Sequence, residues 1–177
     1  MSLLIAFILV ATTLFYPCNT NTVSASVEEG IDMDALKAQD DAFIGYFSIQ
    51  DVDINVPTYR MDYNWENASI IAQSYADRDN LAVWMYGWTP YMTIADHIHQ
   101  DFARLSEVKV GTIATIYWYD GTITNYRCIE TSLGINDNYD LYDEDGVSWQ
   151  DWDCDLATYT CEHSIPDGIF IAKWRLE

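Results

Sequence analysis

At 177 residues the chain has the length of one domain, and with half its residues hydrophobic and 15% aromatic it can fill a core. Asp and Glu number 28 against 8 Lys and Arg, a formal net charge of −20, which excludes nucleic-acid binding through clustered basic side chains and disfavours anionic membrane surfaces. The same field favours solubility and cationic partners, while 13 Tyr and 7 Trp favour strands and concave surfaces over a helical bundle.

In chain order, Leu3 to Phe15 is apolar apart from Thr12 and Thr13. That is shorter than the roughly 20 residues of a membrane-spanning helix and matches a signal-peptide core. Val23-Ser24-Ala25 supplies the small residues of a cleavage site. Residues 1–25 are therefore expected to be a signal peptide or, if uncleaved, an N-terminal membrane anchor, the chain's only expected membrane contact. Residues 26–41 form an acidic lead-in with a short helix over 34–41, and 42–177 form the folded domain.

Within that domain Ala42 to Ile49 reads as a strand, and Val52, Ile54 and Val56 alternate with polar residues as a half-buried strand ending at Pro57. Asn64 caps a helix predicted over 66–75, with Ala68, Ile71, Ala72 and Tyr75 on one face. Leu81 to Tyr86 and Met92 to Ala95 are short strands, and Phe102 and Leu105 mark a helical turn. Ile113–Tyr119 and Thr122–Ile129 are β-rich runs joined by Asp120-Gly121, a pair suited to the positive φ angles of a tight hairpin. Gly134 to Asp155 is a long acidic loop, and Leu156–Cys161 and Ile169–Trp174 are the last strands. Many short strands with few helices predict a closed or nearly closed β-barrel.

Three cysteines follow residue 25: Cys128, Cys154 and Cys161. An odd number in an exported protein implies one disulfide and one free thiol. If 154–161 is extended, those two cysteines are about 23 Å apart, far beyond disulfide reach. A Cys128–Cys154 bridge would leave Cys161 free. Cys161 ends its strand, and His97 follows the strand Thr93-Ile94-Ala95-Asp96. Two strand ends on one rim would set a nucleophile beside its proton-transfer partner.

Cys154-x₆-Cys161-x-His163 is not a usual zinc spacing, and His99 and His163 read as exposed loop residues. No metal site and no required cofactor are expected. The acidic 137–155 loop offers calcium-type oxygen ligands but lacks the full spacing of a known calcium loop.

Thr158-Tyr159-Thr160-Cys161 is similar to the strand that ends in the nucleophile of sortases, the cysteine transpeptidases of bacterial cell surfaces. Ala95-Asp96-His97, then Phe102-Ala103-Arg104-Leu105, then Gly111-Thr112 follow the order of that family's histidine segment, with Thr112 in place of an Asp. Gly45 to Ile49 and Val56 to Tyr59 resemble its opening strands. The resemblance covers about Ala42 to Trp174. It implies a mostly β, eight-stranded barrel with one or two short helices. Cys161 would attack a backbone carbonyl of an extended sorting peptide, and His97 would serve as proton shuttle. A peptide or surface-protein partner, a secreted or cell-surface location and a monomer are the corresponding expectations. Thr160 and Asp96 would lie at the substrate, and Tyr139, Tyr142, Trp149 and Trp152 would either line the groove or cover the barrel. The family's arginine at the start of the last strand has no counterpart: Asp167 or Gly168 stands there, and Arg175 is about 20 Å along the strand. A catalytically degenerate binding module is the second reading.

Overall fold

The computed structural model describes residues 31–62, 77, 81–137 and 140–177. The leader or anchor of residues 1–25, the helix expected over 66–75 and Tyr139 lie outside the described residues. The chain divides into two units, Met1–Ile31 and Asp32–Glu177, and the folded domain is the second.

Among the described residues one short helix, α1 (Met33–Gln39), precedes nine strands: β1 (Phe43–Ile49), β2 (Ile54–Asp62), β3 (Ala82–Tyr86), β4 (Met92–Ala95), β5 (Ile113–Trp118), β6 (Ile123–Asp137), β7 (Asp140–Asp143), β8 (Leu156–Glu162) and β9 (Gly168–Leu176). Asp32 caps α1 by accepting from Ala35 N at 2.9 Å. The strand order is β5-β1-β2-β3-β4-β8-β9-β6-β7, and a β5–β6 pairing closes the first eight into a barrel. Closure removes the free edges that an open sheet would leave.

The two faces of this sheet have different partners. Phe47, Val56, Ala82, Ile94, Ile116, Tyr126, Leu156 and Trp174 share one core cluster. They come from all eight barrel strands, so they fill the interior. Phe102 and Leu105, from a 3₁₀ segment at Asp101–Glu107, join the same cluster. The second cluster lies on the outer face. It combines Val83, Met85, Ala157, Ile169 and Ile171 with Leu141, Trp149, Trp152 and Cys154. Alternation along β8 and β9 therefore decides which side chains point inward. Trp174 is fully buried, and its Nε1 donates to Thr158 Oγ1 at 3.0 Å, which satisfies the polar end of a large interior ring.

Three expectations are corrected. The strand expected to stop at Pro57 runs on to Asp62, with Pro57 opposite Tyr46. β3 begins only opposite Thr58, so at Pro57 one side of β2 is an edge and the missing N–H is tolerated. The Asp-Gly hairpin uses a three-residue loop: Trp118 N donates to Thr122 O at 2.9 Å, and of its residues only Gly121 takes a positive φ, +84°. Asp120 instead accepts from Thr122 N at 2.9 Å. The acidic stretch begins as a hairpin, because Gly134–Asp137 pairs with Asp140–Asp143. Only the stretch from Glu144 to Asp155 is irregular, with a 3₁₀ turn at Trp149–Asp151.

Candidate active site

β4 and β8 are parallel neighbours, registered from Met92↔Leu156 to Ala95↔Tyr159. Cys161 lies two residues past this register on β8, and His97 two residues past the end of β4, so both follow the same end of two neighbouring strands, which lie roughly 4.8 Å apart. Cys161 shares the outer face with Tyr159 and Ala157, and Tyr159 Oη donates to Met85 Sδ at 3.7 Å in the floor beside it.

The His97 turn is held by Asp96, which is 4% exposed. Its carboxylate accepts from His97 N at 2.7 Å and Asp101 N at 3.0 Å. Burial raises its pKa to about 7, against the opposing pull of those N–H donors. Asp96 thus fixes the chain on both sides of His97. His97 Nε2 is 3.4 Å from Asp77 Oδ1, and its ring stacks on His99 with centroids 5.1 Å apart. Sequence reading missed Asp77 as a partner of His97, since the charged run Asp77-Arg78-Asp79-Asn80 carries no periodic signal. Among the described residues no hydrogen bond joins Cys161 Sγ to His97, and catalytic contacts of this kind commonly tighten only around substrate.

Cys161 is half-buried, and burial pushes its thiol pKa up. A cavity of about 530 Å³ opens beside it, lined by Asn136, Cys161, His163, Ile165, Asp167 and Ile169 among others. Directly across β9 from Cys161 stands Ile169, 2% exposed, and Gly168 faces Glu162. Asp167, at φ 53°, turns the chain just before them. The described arginines have other partners. Arg60 pairs with Asp62 at 2.6 Å and lies 3.7 Å over the Tyr86 ring, and Arg104 pairs with Glu107 at 2.8 Å. Arg127 bonds Glu177, and Arg175 pairs with Asp153 at 3.1 Å. Arg78, which follows Asp77 in sequence, lies outside the described residues.

The other expected site residues are placed elsewhere. Thr160 pairs with Phe170 on the interior face and is 1% exposed, so it does not face the cavity. Its Oγ1 has no hydrogen-bond partner among the described residues. Trp149 and Trp152 are buried at 3% and 4% and cover the outer face of the barrel. The Cys128–Cys154 bridge is not formed: both thiols are free. Cys128 belongs to the interior cluster and Cys154 to the outer one, so the sheet itself separates them. Burial pushes both thiols up, to about 11 and about 12. Among the described residues no three His, Cys, Asp or Glu side chains converge as a metal site requires.

No family model matches the sequence, and no curated protein matches it. Solved structures do match. The chain is similar to sortase C of Streptococcus pneumoniae at a TM-score of 0.54 and 17% identity, over 77% of this chain and 69% of that one. It is similar to sortase A of Listeria monocytogenes at 0.51 and 17%, over 77% and 88%. Sortase C of Clostridium perfringens, solved with a C-terminal cell wall sorting motif, matches at 0.51 and 12%, over 76% and 70%. The protein is thus a closed β-barrel with Cys161 on β8 and His97 two residues past the end of the neighbouring parallel strand β4. Its fold is the sortase fold.

Proposed function

We propose that the protein is a secreted or surface-held cysteine transpeptidase or peptidase acting on an extended peptide. The supporting observation is the parallel β4–β8 register, after which both chains continue by two residues, to His97 and to Cys161. Cys161 Sγ gives its proton to His97 and attacks a backbone carbonyl carbon, forming a tetrahedral oxyanion. The C–N bond then breaks, His97 returns the proton to the leaving amine, and a thioacyl enzyme remains. An incoming amine, or water, attacks the thioester and releases Cys161. The crystallised relative with a sorting motif supports a peptide as partner, and the barrel-side cavity at Cys161 supplies a place for it.

A second reading is a binding module that retains the barrel without catalysis. Ile169 favours it, because an apolar side chain faces Cys161 across the hairpin and offers no charge to the thiolate or the oxyanion. Peptides with an added amine nucleophile, incubated with the protein and with Cys161→Ala, separate the readings. Transfer product formed only by the parent protein supports the enzyme. Saturable peptide binding by both, with no product from either, supports the module.

A further inference from the structure

Lys173 is the single basic residue inside the apolar run Ile169–Trp174. Its side chain is 7% exposed and lies on the outer face, with Nζ 5.0 Å from the Trp152 ring centroid. Nζ donates to Asp143 Oδ2 at 2.8 Å and to Glu130 Oε1 at 2.7 Å. Asp143 is 5% exposed on its side chain, whereas Glu130, directly across the β6–β9 ladder from Lys173, reaches solvent. The second oxygen of Asp143 is held too: Oδ1 accepts from Val147 N at 2.8 Å and Asp145 N at 3.2 Å.

These four features are the parts of an acyl-transfer site. There is an amine hydrogen-bonded to one oxygen of a carboxyl group, two backbone N–H donors on the other oxygen, which would carry negative charge, a second carboxylate on the amine, and an aromatic cover. We propose that Lys173 and Asp143 join spontaneously in an intramolecular isopeptide bond, with Glu130 carrying the proton.

The step balances without a co-reactant. Lys173 passes one proton to Asp143 Oδ2, which converts the ion pair to a neutral amine and carboxylic acid. The Nζ lone pair attacks Cγ, and charge gathers on Oδ1 between the Val147 and Asp145 N–H groups, as an oxyanion hole requires. Glu130 takes a second proton from Nζ and delivers it to Oδ2. The Cγ–Oδ2 bond breaks, water leaves, and the Cγ–Oδ1 double bond reforms. One proton stays on the amide nitrogen, and Glu130 is again a carboxylate.

Burial opposes both charges, yet Asp143 and Glu130 hold Lys173 above its usual range, and the Lys173, Val147 and Asp145 donors hold Asp143 below its own. The charged pair is therefore the resting state, and formation of the bond is slow and one-way. The product ties β9 to the end of β7, pinning the 144–155 segment whose tryptophans cover the outer face. The bond forms whether or not Cys161 and His97 catalyse peptide transfer.

Intact-mass spectrometry of the folded, purified protein tests it, with peptide mapping of the same sample. The expected result is a mass lower by one water and a branched peptide joining Lys173 to Asp143. Glu130→Gln, which keeps a hydrogen-bond acceptor at that position, stays at full mass. Asp143→Asn, where it reacts, loses ammonia in place of water. Full mass with linear peptides after prolonged warm incubation overturns the proposal. So does a loss of water mapped to Asp120, Asp145 or Asp167, each of which precedes a glycine and can cyclise on its own backbone. Cross-linking of Glu130→Gln at the parent rate overturns the role given to Glu130.

Discussion

Ile169 lies directly across the β8–β9 ladder from Cys161, on the same outer face and almost wholly buried. The position facing the thiol is thus occupied by a side chain that can neither stabilise a thiolate nor bind an oxyanion. Burial raises the Cys161 pKa, and its own backbone N–H offsets only part of that. The proposed nucleophile therefore rests as a neutral thiol.

Replacing Ile169 with Arg sets a cation opposite the thiol. A guanidinium at the cavity edge favours the thiolate, so alkylation of Cys161 at neutral pH should quicken by about tenfold for each unit that the pKa falls. The same substitution removes a buried aliphatic group and should lower stability by about 1–3 kcal/mol. Labelling rates and a denaturant titration check the two effects separately.

The pH dependence of labelling in the parent protein follows from the direction of the Cys161 shift. Thiolate is the reactive form. The rate should climb through neutrality and reach its midpoint above the ordinary thiol value of 9.0. A midpoint below neutrality would mean that a cation already activates the thiol.

Asp96 makes stability depend on pH in the direction opposite to an ion-paired carboxylate. Its folded pKa, about 7, lies above its ordinary 3.8, so the folded state binds the extra proton between those values. The contribution is full below about pH 4 and is lost as pH rises through 7. Asp96→Asn should flatten that fall, and the difference between the two proteins across the window should be on the order of 2–4 kcal/mol. Because Asp96 also orients His97, the variant should slow peptide turnover even where stability is unchanged.

Gly45 sits in the β1 bulge at φ +149°, where a Cβ would lie 2.1 Å from the Tyr117 carbonyl oxygen. Gly45→Ala must push β1 from β5 or strain the backbone. A loss of at least about 2 kcal/mol is expected, read as a lower midpoint in thermal or denaturant unfolding.

Much of the fold was legible in sequence. The runs Phe43–Ile49, Ile113–Trp118 and Leu156–Cys161 carry the apolar and β-branched residues that strands need, and their order points to the barrel. His97 and Cys161 were proposed as partners because each stands at or just past the end of such a run. The Lys173 triad was not read, although a lysine inside an apolar strand signals a buried partner. Its partner Asp143 was hidden among eight acidic residues of the 137–155 stretch. The disulfide inference failed because spacing along one strand excludes a pair without choosing another, and the two faces of a closed sheet are not visible until the register is known. Asp77 belongs to a charged run of the sequence with no periodic pattern, so nothing there pointed to His97.

Capture of the thioacyl enzyme tests the proposed chemistry of Cys161 most directly. A peptide bearing the sorting motif of a sortase substrate is incubated with the protein without added amine, acid-quenched and weighed intact. The expected result is an adduct of the acyl fragment on Cys161, lost on adding an amine, absent in Cys161→Ala and strongly reduced in His97→Ala. Peptide bound reversibly with Cys161 unmodified, across a panel of such motifs and at neutral and alkaline pH, would contradict it.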